Sequence, residues 1–263
     1  MIKRYFAKRK LNIIFSVAAV AFMWIAWVIV YYSVGNPLIV PSFTATAQSF
    51  FSLLADGGFW LALANTFART LLAFVISFAV AAGCTALASL SKCAKAFINP
   101  ITVVLRTLPT MAVILLILKA TQGNRTLSPV IVTVLVLLPM IYSQALAAVG
   151  DIDAGLIEMA EAYSLSRRDR LFRIYLPLIA PNILSQTGAN LSLGLKVMIS
   201  AEVLANTAKG LGGMMQQSSI AAEIAELAAL TVASVILGLI VDLAFSSFER
   251  LTFKWKAKEG RND

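Results

Sequence analysis

The chain contains no histidine, and only 2 cysteines and 8 prolines in 263 residues. Without imidazole there is no histidine general base, no Ser–His triad and no histidine-ligated metal. Two cysteines cannot by themselves build a zinc or iron–sulfur site. Cys84 lies in an apolar run and Cys93 beside Lys92 and Lys95, so they read as one small apolar residue and one loop residue, not a disulfide. Charge is scarce as well. Charged residues make up 13% of the chain, about half the share usual in a soluble domain. Hydrophobic residues make up 59%, and the mean hydropathy is +0.84. These shortages exclude a soluble globular domain, a disordered chain and a disulfide-stapled secreted domain. What they leave is a polytopic, all-α membrane protein with no cofactor.

Charge-free runs locate the spans, since a crossing needs about 20 mostly apolar residues. Residues 11–55, 70–91, 126–150 and 174–195 carry no charge, and between Asn99 and Ala120 the only charges are Arg106 and Lys119. Six spans follow, at about 11–32, 66–90, 99–120, 127–149, 177–200 and 227–248. They form one transmembrane domain over residues 11–249, between a tail at 1–10 and a tail at 250–263. Pro100, Arg106 and Pro109 interrupt the third span, and Asp242 lies inside the sixth. The first apolar run is too long for a signal peptide and has no small-residue cleavage site, so it reads as a retained anchor. Trp24, Trp27, Tyr31 and Tyr32 lie toward its outer end, as an interfacial belt would.

Lys and Arg set the orientation. Five precede the first span, Lys92 and Lys95 follow the second, Arg167, Arg168, Arg170 and Arg173 follow the fourth, and five more follow the sixth. Only Arg69, Arg106, Lys119, Arg125, Lys196 and Lys209 fall elsewhere. Both termini are therefore expected in the cytoplasm of a cell-membrane protein. The net charge of +9 is then an inside-positive pattern helped by anionic lipid, and no nucleic acid is implied. Residues 33–63 should lie outside. Their run Thr44–Leu54 is amphipathic, so Phe50, Phe51, Leu53 and Leu54 either rest in the interface or pack on the bundle.

The long inner loop, 150–176, is dense in charge. Ile157, Ala160 and Glu161 share helical spacing, as do Leu171 and Ile174. Ser166 followed by Asp169 can cap a second, basic helix, and Pro177 can open the fifth span. The loop should read helix, turn, short helix, span: a hairpin suited to docking a cytoplasmic partner.

Glu158-Met159-Ala160, three residues, Ser164, nine residues, then Ile174-Tyr175-Leu176-Pro177 resembles the EAA loop of ABC importer permeases. Met159 stands for an alanine and Ser164 for a glycine of that pattern. Serine is strained at positive φ, so an ordinary turn is expected at Ser164. Pro41-Ser42, Gly57-Gly58-Phe59-Trp60, Thr66, Arg69, Asn99-Pro100, Arg106, Pro109, Ala201-Glu202 and Gly210-Leu211-Gly212 resemble the nitrate/sulfonate/taurine branch. The likeness covers about 220 residues, from about Val40 to the end of the sixth span.

The resemblance implies a non-enzymatic transport subunit. It would work as a homodimer in membrane lipid, with two copies of a cytoplasmic ABC ATPase and an extracytoplasmic solute-binding protein. Glu158, Met159, Ala160, Glu161, Ser164, Arg167, Arg168, Ile174, Leu176 and Pro177 would form the ATPase-coupling loop. Independently, the sequence has no Gly-x-x-x-x-Gly-Lys-Ser/Thr loop to cradle phosphates. Polar groups inside spans are costly and often functional, which makes Arg106, Asn190, Lys196 and Glu202 candidates for a translocation path or gate. Lys196 and Glu202 either pair or face a wet cavity. Gly188 and Gly194, with Ser185, Ala189 and Ser192, suggest a small-residue packing face on the fifth span. The cargo reads as a small anion such as nitrate, a sulfonate or taurine, with a thiamine-precursor pyrimidine as the alternative within the branch. A stand-alone secondary transporter would ordinarily show internal repeats or a charged relay, and neither is visible. An integral-membrane enzyme would need catalytic groups clustered at one depth.

Overall fold

A computed structural model of the chain describes residues 2–252, whose regular structure is all helical. The tail beyond 252, with its lysines and arginine, and the side chains of Lys3, Arg4, Lys8, Arg9 and Lys10 lie outside the described residues. The helices are α1 (Ile2–Val34), α2 (Phe43–Ala55), α3 (Gly57–Leu90), α4 (Lys92–Thr107), α5 (Thr110–Ala120) and α6 (Leu127–Gly150). They continue as α7 (Ala154–Ala162), α8 (Arg167–Arg170), a π-helical turn (Leu171–Tyr175), α9 (Leu176–Ala205), α10 (Leu211–Ile220) and α11 (Ile224–Thr252).

Among the described residues, four helical runs are long and apolar enough to cross a membrane: Gly57–Leu90, Leu127–Gly150, Arg168–Ala205 and Ile224–Phe245. The pair α4–α5 makes a fifth if it counts as one crossing, and α1 contributes the apolar stretch Ala21–Val34. The third span expected over 99–120, with its interruptions, falls on the α4–α5 pair. α4 and α5 are bent by 99°. Pro109 is the cause. A residue preceding proline is pushed out of the helical region, and Leu108 is extended, at φ −66° and ψ 133°. α3 also starts well before 66, because the Asp56 carboxylate accepts from the Gly58 and Phe59 N–H groups and caps it there.

α6 lies between α3 and α9, and α11 closes the other side of α9. α3 makes this possible with small residues. After Phe59 at its head, its buried face reads Ala62, Thr66, Thr70, Ala73, Ser77, Ala81, Thr85 and Ala88, a helical repeat of small side chains. In lipid there is no hydrophobic drive between helices, so close approach over small residues supplies the attraction. Three hydroxyls on this face return to their own helix: Thr70 donates to the Thr66 carbonyl (2.8 Å), Ser77 to Ala73 (2.7 Å) and Thr85 to Ala81 (2.8 Å). α2 packs on α11. Leu53 is buried against Phe59 and Leu230, while Phe51 and Leu54 stay outside. α1 meets the body near its C-terminal end, where the Trp27 indole donates to the Pro41 carbonyl (3.2 Å) and Trp24 and Trp27 stand edge-on to Phe43.

If close approach of α3 and α6 holds the bundle, enlarging the stripe must weaken it. Ala81→Leu, at a site with 0% exposure, is expected to cost about 1–3 kcal/mol. The thermal midpoint of the purified chain in detergent should fall by several degrees. Val75→Leu, on the exposed side of α3, should leave it unchanged.

Candidate functional site

The hairpin 154–176 is built by local rules. The Asp153 carboxylate accepts from the Gly155 N–H (2.9 Å) at the head of α7. Ala160 is buried, and Glu158 and Met159 face outward. At the end of α7 the Leu165 N–H bonds back to the Ala160 carbonyl (3.0 Å) and the Tyr163 N–H to Met159 (3.0 Å). A six-to-one closure of this kind needs a left-handed residue just before its last member, and Ser164 supplies it at φ +51°. The ordinary turn expected there is therefore not adopted. The closure forces the left-handed conformation that glycine takes freely and serine takes at a cost of about 1–2 kcal/mol.

Ser166 then caps α8. The Asp169 N–H donates to the Ser166 hydroxyl (3.1 Å), and that hydroxyl donates to the Asp169 carboxylate (2.6 Å). The outer oxygen of Asp169 meets the Arg173 guanidinium at 3.2 Å, an exposed i,i+4 pair that contributes little. Pro177 stands in the first turn of α9, as expected, but the helix reaches it without a break from α8. Its ring has no N–H for the carbonyl four residues back and crowds it, and the helix answers with the π turn at 171–175. There the Leu176 N–H bonds to Leu171. Ile174 is half-buried, and Arg168, Leu176 and Pro177 are exposed. The side chains of Glu161 and Arg167 lie outside the described residues.

α9 carries the second group of candidates. Gly188 lets α11 approach, since a Cβ there would stand 3.1 Å from both Asp242 Oδ1 and Phe245 Cβ. Gly194 does the same for Leu137 of α6 at 3.0 Å. The Ser192 hydroxyl donates to the Gly238 carbonyl (3.1 Å). Ser185 and Ala189 are exposed and belong to the other face. Asn190 is buried in a reciprocal amide pair with Gln144 of α6, at 3.1 and 2.7 Å. Lys196 is exposed. It lines a cavity of about 630 Å³ between α9 and α11 with Ser192, Ser200, Thr231, Ser234 and Asp242. Nearer the hairpin, Ser143, Gln144, Asp151, Asn182, Ser185 and Gln186 line a polar cavity of about 370 Å³. Arg106 is exposed at the end of α4, in a third cavity of about 320 Å³ with Asn99, Thr102, Tyr142 and Ser143.

Glu202 is in none of these cavities. It has 0% exposure. Six residues turn a helix by 600°, so Lys196 and Glu202 diverge and do not pair. The carboxylate meets Arg69 Nη1 at 2.7 Å, the Thr66 hydroxyl at 2.7 Å and the Gly212 N–H at 3.2 Å. The Thr66 oxygen in turn accepts from the Leu211 N–H (2.9 Å). Sequence reasoning had noted Arg69 and Thr66 without joining them to Glu202. The available signal was a lone acid and a lone base at the same depth of two spans. The Gln144–Asn190 pair and the Tyr142 hydroxyl donating to Asn99 (2.7 Å) were also missed.

Residues 76–254 match the family described as binding-protein-dependent transport system inner membrane component. The chain belongs to this family. The permease is 26% identical over 220 residues to the putative aliphatic sulfonates transport permease of Escherichia coli (strain K12), covering 82% of each chain. It is 24% identical over 238 residues to the taurine transport system permease of the same organism, covering 87% of this chain and 84% of that one. Among solved structures, a bacterial alginate ABC transporter bound to its periplasmic protein shares the fold, with TM-score 0.66, 17% identity and coverage of 91% and 96%. The permease is thus a multi-pass membrane subunit of an ABC importer, and ATP is hydrolysed by a separate subunit.

The hairpin geometry has a local test. Ser164→Gly should relieve the left-handed strain and stabilise the turn by about 0.5–1 kcal/mol net of glycine's extra chain entropy. Ser166→Ala should loosen α8 by about 1 kcal/mol. Amide hydrogen exchange over 160–172 should slow in the first and quicken in the second.

Proposed function

We propose that the permease docks its ATPase through residues 158–177 and passes a small sulfonate-type anion along the polar side of α9. The observation that carries the docking reading is the hairpin's continuity. α8, the π turn and α9 form one helical run from Arg168 to Ala205, so a push on the hairpin is a push on a span. Glu158, Met159 and Arg168 are exposed to a partner, and Ala160, Ser164 and Ile174 hold the shape that presents them. In this reading Glu161, Arg167, Leu176 and Pro177 complete the contact. Two copies of the permease, two ATPase subunits and an outer binding protein form the machine, with both termini in the cytoplasm.

The substrate class rests on the relatives and on Lys196. Two relatives are named for aliphatic sulfonates and for taurine, which both carry a sulfonate group. Lys196 brings a cation to an open cavity on α9 that Ser192, Ser200, Thr231 and Ser234 also line. An ammonium in such a cavity suits an oxyanion. In this reading Arg106 flanks the route nearer the hairpin, Asn190 fixes α9 against α6 behind it, and Glu202 fixes its outer end.

A pull-down of the tagged permease in mild detergent, beside Glu158→Ala/Glu161→Ala, tests the docking. The wild type should retain an ATPase subunit and the variant should lose it or leave it uncoupled. A wild type that purifies without any ATPase, under conditions that preserve such complexes, refutes the reading. For the cargo, Lys196→Glu should lower taurine uptake by about tenfold or more, the factor for 1.4 kcal/mol, with ATPase binding unchanged.

A further inference from the structure

The helical run Arg168–Ala205 is 38 residues long, about 57 Å at 1.5 Å per residue. It leaves the hairpin at one end, and Glu202 stands three residues from the other. The Glu202 carboxylate is bonded to two other helices at once: to α3 through Thr66 and Arg69, and to α10 through the Gly212 N–H.

α10 depends on these bonds. Its N-cap, Gly210, gives no side-chain bond to the first turn. The N–H groups of Leu211 and Gly212, which a helix leaves orphaned, are taken by Thr66 and Glu202 instead. The fit is close. A Cβ at Gly210 would stand 2.7 Å from the Glu202 oxygens, one at Gly212 would stand 2.4 Å from the Ile199 carbonyl, and one at Gly213 would overlap the Thr207 carbonyl. The connections at either end of α10 pass through left-handed turns at Asn206, Lys209 and Ala222. Neither turn continues a neighbouring helix into α10, so its direction is set by the contacts of its first turn.

A rotation of α9 must then carry α3 and α10 with it or draw Glu202 out of its bonds. The second leaves a buried charge unpaired, which is strongly unfavourable. We infer that Glu202, with Arg69, is a positioning residue that makes the outer ends of α3, α9 and α10 one rigid body, so that a displacement delivered at the hairpin reaches the outer mouth undiminished. This rests on the docking reading above.

The test uses the permease assembled with its ATPase. Arg69→Gln/Glu202→Gln removes both charges together, so none is left buried without a partner. Spin labels at Trp60→Cys on α3 and Gln217→Cys on α10, both exposed, in a Cys84→Ser/Cys93→Ser chain, report whether the two helices move together. With one labelled copy per assembly, the other being unlabelled, the parent should give one narrow distance that ATP does not change. The double variant should still bind the ATPase and hydrolyse ATP, but should lose the single narrow distance. Taurine imported per ATP, by the complete transporter in vesicles, should fall about tenfold, within the range of allosteric couplings. An unchanged label distance in the assembled variant overturns the inference, as does a variant that cannot assemble, since Glu202 is then a folding determinant alone. A parent chain that retains no ATPase overturns the docking reading and this inference with it.

Discussion

Among the described residues the most deeply buried charge is the Glu202 carboxylate, and the end of the bundle that holds it is arranged around it. Taking a carboxylate out of water costs several kcal/mol even after the protein relaxes, and the cost is met only by close charge and several hydrogen bonds. Arg69 supplies the charge at 2.7 Å, and Thr66 and the Gly212 N–H supply the bonds. Those partners impose the rest. Thr66 and Arg69 must lie one turn apart on the side of α3 that faces α9, and the chain after α9 must fold back so that amide N–H groups reach the carboxylate. Gly210, Gly212 and Gly213 are glycine because the fold-back brings backbone and carboxylate to within the space of a Cβ. The glycine-rich segment is a packing consequence of the buried acid, not a phosphate-binding loop.

The polar groups left on α9 divide by face. Asn190 and Glu202 point into the protomer and are satisfied there. Asn182, Ser185, Gln186, Lys196 and Ser200 lie on the uncovered side, bordering the cavities that α6 and α11 form with it. A stripe of amides, hydroxyls and an ammonium against hydrocarbon is expensive. By contrast the uncovered side of α3 offers Leu71, Leu72, Val75 and Phe78, as lipid requires. The two helices therefore point their bare sides at different media, which argues that α9 turns toward water or a second copy of the chain.

The helical, membrane-crossing character was legible because lipid imposes a simple rule, long runs without charge, and the sequence obeys it at 70–91, 126–150 and 174–195. Departures arose where one residue overrode the run. Pro109 breaks 99–120 into two helices at 99°, although composition there is apolar on both sides. Asp56 starts α3 at Gly57, because a cap acts through geometry that hydropathy does not register. In the hairpin the spacing of Glu158, Ser164 and Pro177 is visible to the eye. The sign of φ at Ser164 is not, since it follows from the Leu165–Ala160 bond and not from serine's own preference. The ion pair was hidden for a different reason. Arg69 and Glu202 are 133 residues apart, and only the packing of α3 on α9 brings them together.

The two halves of the bundle are held by forces of different size, and this bears on how it moves. Around α6 the half of the bundle nearer the hairpin relies on the small-residue contact with α3 and on neutral pairs, Gln144 with Asn190 and Tyr142 with Asn99. Such polar contacts within membranes average about 0.6 kcal/mol each. At the C-terminal end of α9 a buried ion pair and its hydrogen bonds tie three helices, and breaking the pair by removing one partner costs about 3–5 kcal/mol. The half nearer the hairpin can exchange its neutral contacts for water at small cost, since amides and phenols hydrogen-bond water readily and open polar cavities already border them. The carboxylate cannot be released so cheaply. If the hairpin receives the displacement of an ATPase, as proposed above, the give lies where α9 passes α6, and the end of α9 that carries Glu202 keeps hold of α3 and α10.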